Sequence, residues 1–147
     1  MLSYTLLAFC LLEGLNILIL YFAPQSNKGN GMGAFNAYER AKSNSEVFPL
    51  ITYLVNWVAG TKLIFVLLLI GIAFTGGTIV KLVSIAALIV SISTFYWRLY
   101  PAIRLMDQQD SITPKGYSRT LGMMIGAFLL TFTIVFLIAV FNLPKQM

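Results

Sequence analysis

Two charged residues of opposite sign stand in the middle of apolar stretches, and no others in the chain do so. Glu13 interrupts the run at residues 2–23, and Lys62 interrupts the run at residues 48–74. A lone charge near the centre of a bilayer costs about 3 kcal/mol or more, so such residues face a partner or a cavity. Two opposite charges at matching depth predict a contact between them. A carboxylate in that setting is the type of group that forms a proton or cation site on a transport path. The alternative reading is an internal ion pair or hydrogen bond that holds the first and second helices together. Nearby amides extend the polar set. Asn16 lies one turn from Glu13, and Asn56 on the second helix lies at a depth similar to Asn16. An Asn16–Asn56 hydrogen bond between helices would add about 0.6–2 kcal/mol.

The elements that position these residues follow from length and hydropathy. Four apolar runs, at about 2–23, 48–74, 78–100 and 118–143, each match the roughly 20 residues that span about 30 Å of hydrocarbon. Hydrophobic residues make up 59% of the chain and charged residues 10%, against about 25% charged in a soluble domain. That balance cannot cover a water-facing surface. The expected fold is an all-α membrane protein: a single domain over residues 1–147, with four transmembrane helices in an antiparallel bundle. The first run has no basic start and no small-residue cleavage pattern, so it reads as a retained helix and not as a signal peptide.

Composition narrows the chemistry. The chain has no histidine and one cysteine, Cys10. The commonest general base and the commonest metal ligand are therefore missing, and an intrachain disulfide or thiolate cluster cannot form. No residue set spells out a reaction. The expectation is a non-enzymatic accessory or interaction subunit, or a minor transporter, with no cofactor and no metal. The net charge of +5 gathers at membrane edges. It points to lipid and to orientation, not to nucleic acid. Lys28, Arg40, Lys42, Arg98, Arg104, Lys115 and Arg119 fall on one side of a four-span topology, and Lys81 and Lys145 on the other. This asymmetry places the loops at 24–47 and 101–117 in the cytoplasm and both termini outside, in a bacterial-type inner membrane.

Within the loops, Phe35, Tyr38 and Ala41 recur at three-residue steps, as in a short surface helix. Thr113 followed by Pro114 reads as an N-cap and first helical position for the fourth helix. Gly76-Gly77 predicts a tight turn between helices two and three. On helix three, Lys81, Ser84, Ala87, Ser91, Thr94 and Arg98 form a small-residue seam. On helix four, Ser118, Gly122 and Gly126 recur at four-residue steps. Both seams fit close helix packing, either within one chain or between copies in a homo-oligomer or larger membrane complex. Phe95, Tyr96, Trp97 and Tyr100 form an aromatic belt, and Arg98, Arg104 and Arg119 beside it are candidate contacts for lipid phosphate or another anionic ligand.

The stretch Arg40-Ala41-Lys42-Ser43-Asn44-Ser45-Glu46-Val47-Phe48-Pro49 resembles the Arg-Ala-x-x-Asn-x-x-Glu-x-x-Pro-type start of the second helix in the MAPEG family, the membrane-associated proteins of eicosanoid and glutathione metabolism. The basic start Ser118-Arg119-Thr120-Leu121-Gly122 is similar to the family's fourth helix. Asn44 to Glu46 is one residue shorter than the family spacing, which turns Glu46 by about 100° on a helix. The resemblance implies a trimeric membrane enzyme that binds glutathione or a lipid between subunits. Arg40, Asn44, Glu46 and Arg119 would then be the glutathione ligands.

Overall fold

In a computed structural model describing residues 1–142, the chain is helical almost throughout. Helix α1 spans Leu2–Phe22, a short α2 spans Asn36–Ala41, and α3 spans Val47–Thr75. Helix α4 spans Thr78–Thr94, α5 spans Tyr100–Gln108 and α6 spans Tyr117–Asn142. Four helical stretches are long and apolar enough to cross a membrane: α1, α3, the continuous rod Thr78–Gln108, and α6. Residue 143 of the fourth apolar run, and Lys145, lie outside the described residues.

Outward-facing positions on these helices carry Leu11, Leu18, Leu67, Val83, Val90 and Leu130. In water so much exposed apolar surface would drive association. In hydrocarbon it is the expected face. Away from its ends, an α-helix satisfies its backbone groups internally, as a dry environment demands. Hydroxyls follow the same rule: Thr52, Thr61, Ser84, Ser93 and Thr131 each donate to the carbonyl one turn earlier.

The packing divides into two pairs. Helix α1 lies mainly against α3, and α4 lies mainly against α6, with α1 also touching α4 and α6. The main core joins Leu6, Cys10, Ile17 and Leu20 of α1 to Val55, Ala59, Val66 and Leu69 of α3. Ile85, Leu88 and Phe132 close it. Helix α4 buries Leu82, Ile85 and Leu88, not the small-residue stripe. Ser91, Thr94 and Arg98 face outward and Ser84 and Lys81 are only half-buried, so the expected seam on helix three is not a packing face within this chain. The larger side chains remove more apolar surface and make more dispersion contacts, so they take the core.

The third apolar run does not stop near residue 100. It passes through a π-helical turn, Phe95–Leu99, and continues as α5 to Gln108. Pro101 explains the turn. A proline inside an α-helix lacks an N–H and clashes with the carbonyl four residues earlier, and a wider turn relieves both. The loop expected at 101–117 thus shrinks to 109–116. Helix α6 begins at Tyr117, so Thr113 and Pro114 do not cap it. Instead the Thr113 N–H donates to Ala34 O, and the 113–114 peptide is cis.

The two loops are tied together. Phe35 and Ile112 form an isolated bridge, Asn36 N–H donates to Ser111 O, and Asn36 Nδ2 donates to Asp110 O. Ala34, Phe95, Ile103 and Ile112 form a second small core beneath this knot. Tyr38 and Ala41 of the short α2 are buried, so this helix turns its apolar face to the protein.

Candidate functional site

Glu13 follows Cys10 on the buried side of α1, and Lys62 precedes Val66 on α3. The thiol of Cys10 donates to Val66 O at 3.8 Å, which sets these helices in register. In that register Lys62 Nζ donates to Glu13 Oε2 at 2.5 Å. The two side chains retain 29% and 22% of their exposure. Both line a cleft beside the pair, and Glu13 also lines a second cavity.

A cleft of about 550 Å³ runs beside the pair. Its floor is Glu13 and Lys62. One wall is α3, with Leu54 and Val58. The other is the π-turn and α5, with Phe95, Leu99 and Ile103. The four-residue steps from Phe95 to Leu99 to Ile103 keep one apolar face along this wall. Asn30, Met32 and Phe35 of the loop knot lie at the cleft's loop-side end. A second cavity of about 280 Å³ reaches Glu13 from the α6 side, past Asn16, Asn27 and Thr120. Tyr117, Leu121 and Ile125 of α6 line both spaces. Towards the termini the interior is apolar, with Leu6, Phe9, Phe132 and Val135. Beyond that apolar layer, at the terminal end, Ser3, Thr78, Lys81 and Asn142 line a separate space of about 420 Å³.

Other sequence-predicted residues separate. Asn16 lines the α6-side cavity. Asn56 lines a different space with Tyr21, Tyr38 and Thr52, and no hydrogen bond joins the two amides. Six residues part Asn56 from Lys62, about 120° around a helix, so the two cannot share one direction.

Gly122 and Gly126 meet aromatic rings from the same chain. A Cβ on Gly122 would lie 2.8 Å from Tyr100 Cε2, and one on Gly126 would lie 3.0 Å from the Tyr96 hydroxyl. That hydroxyl donates to Gly122 O at 2.6 Å. Ser118 does not act as a small packing residue. Its hydroxyl and its N–H both donate to Asp107 Oδ2, while Gly116 N–H donates to Asp107 Oδ1. Asp107 thereby fastens the start of α6 to the end of α5.

At the loop surface, Arg98 stacks over the Trp97 ring at 4.6 Å. Arg104 and Arg119 are exposed. Lys42 pairs with Glu39 at 2.7 Å, and Lys115 pairs with Asp110 at 2.9 Å. The Asp110 carboxylate raises the Lys115 ammonium above the ordinary lysine range. Exposed pairs of this kind add little stability. Arg40 and Glu46 are exposed, and Asn44 Oδ1 accepts the N–H groups of Glu46 and Val47. Asn44 thus closes the first turn of α3.

Sequence reasoning did not connect the cleft walls on α5 and α6 with the ion pair, and it placed Phe35 only on a surface helix. One signal was available for the α6 contact: Tyr96 and Tyr100 are four apart, as are Gly122 and Gly126, so large and small residues match along facing helices. Comparison with protein-family models, curated proteins and solved structures finds no match to this chain.

Proposed function

We propose that this chain is a non-enzymatic small membrane protein that binds an amphipathic molecule drawn from the bilayer. It would serve as an accessory or interaction subunit, or as a minor transporter, with the Glu13–Lys62 pair at its binding site. The observation that carries this reading is an ion pair at the floor of an apolar cleft of about 550 Å³. Such a volume lies within the range of about 300–1,000 Å³ typical of small-molecule sites, and apolar walls with a few convergent polar groups are their usual lining. The lips of the cleft, Leu54, Val58 and Leu99, are exposed on helices that face hydrocarbon. A ligand would enter sideways from lipid.

The frame for this reading is an antiparallel bundle with both loops cytoplasmic and both termini outside. Cys10 with Val66, Glu13 with Lys62, and Leu20 beside Val55 run in opposite order along α1 and α3, which supports the antiparallel pair. The excess of Lys and Arg at the loop end supports the orientation.

Photo-crosslinking tests the reading. A single-chain amphiphile carrying a diazirine, added to the protein in nanodiscs, should label the cleft walls near Val58, Leu99 and Tyr117 in a saturable manner. Val58→Trp should suppress that labelling. Labelling spread evenly over outward residues such as Leu67 and Val83, and unaffected by Val58→Trp, would overturn it.

A further inference from the structure

The geometry points to a ligand with one hydrocarbon chain and an uncharged, hydrogen-bonding head group, held with its head on Glu13 and Lys62. This inference rests on the binding cleft proposed above and names what enters it. Among the described residues lining the cleft, Glu13 and Lys62 are the only charged ones, and each neutralises the other. A head group with a net charge would bring a third charge into that space. Whichever group it paired with, one charge would be left alone in a medium of low dielectric, where an unpaired ion is strongly disfavoured. A neutral head avoids this. Lys62 donates one hydrogen bond to Glu13 Oε2 and carries further N–H groups, and the second carboxylate oxygen of Glu13 is an additional acceptor. A hydroxyl-bearing head can accept from Lys62 and donate to Glu13 without separating them. The apolar walls, Val58 on one side and Phe95 and Leu99 on the other, then match a hydrocarbon chain that runs out towards lipid.

Native mass spectrometry of the full chain, released from an uncharged detergent, tests the head group directly. Three probes share one chain: monooleoylglycerol, oleyl phosphate and oleyltrimethylammonium. Monooleoylglycerol should form a one-to-one adduct at least tenfold tighter than either charged probe. Val58→Trp should abolish that adduct. Leu99→Trp, on the opposite wall, should do the same and serves where the first variant folds poorly. The double variant Glu13→Gln with Lys62→Met should weaken monooleoylglycerol and narrow its advantage. If a charged probe binds as tightly as monooleoylglycerol and Val58→Trp removes it, the head-group inference fails while the cleft remains a binding site. If no probe gives an adduct sensitive to either tryptophan, both readings fail. A dimer that Val58→Trp breaks would place a second copy in the cleft and would equally overturn the inference.

Discussion

Asp107 shows how one side chain can hold two helices. It is buried, and it accepts two backbone N–H groups and one hydroxyl from residues 116–118. Hydrogen bonds to a charged group contribute about 1.5–3 kcal/mol each in soluble proteins, and leaving buried donors unpaired costs a similar amount. Asp107→Ala should therefore lower the midpoint of thermal unfolding in detergent, and should loosen the start of α6 in hydrogen exchange. An unchanged midpoint would show that these donors find water instead. Nothing in the sequence marks Asp107, because its partners are reached through a turn and not through helical spacing. Glu13 and Lys62 were legible for the opposite reason. A charge in an apolar run is costly wherever the run folds, so depth alone suggested a partner. The amides were less legible. Asn16 and Asn56 share a depth but not a direction, and depth carries no information about direction.

At the scale of elements, hydropathy located four long helices within a few residues, except where a proline was absorbed. Pro101 signals an end by ordinary rules, yet the π-turn at Phe95–Leu99 lets the rod continue to Gln108. The choice between breaking and widening depends on what the next turn packs against, here Ala34 and Ile112 of the loop knot. The glycines of α6 are explained by the same rod. Tyr100 and Tyr96 occupy the space that Gly122 and Gly126 leave open, so this small-residue step serves contacts inside the chain. Forcing extra atoms into a packed contact costs about 1–3 kcal/mol. Gly122→Ala should thus destabilise the folded chain by about that amount, and adding Tyr100→Leu should recover part of the loss. Gel filtration should show no change in size for the folded fraction. A change in oligomeric state without loss of stability would assign Gly122 to a surface between copies.

Across the whole molecule, the loop half and the terminal half differ in kind. The loop half holds the cavities that reach the ion pair, the knot between loops and most of the basic residues. The terminal half encloses an apolar core of Leu6, Phe9, Leu69 and Phe132, with a polar space lined by Ser3, Thr78, Lys81 and Asn142 at its far end. The Glu13–Lys62 pair stands at the boundary, and it joins α1 to α3 on one side while flooring the cleft on the other. The binding reading and the head-group inference both depend on these two residues meeting. A double-mutant cycle on thermodynamic stability, measured in a bilayer-like detergent, tests that most directly. Glu13→Gln and Lys62→Met should each destabilise strongly, by about 3–5 kcal/mol, because each strands the other charge. The double variant removes both charges and should recover much of the loss. Losses that simply add would show that Glu13 and Lys62 act independently, and would contradict the account at its centre.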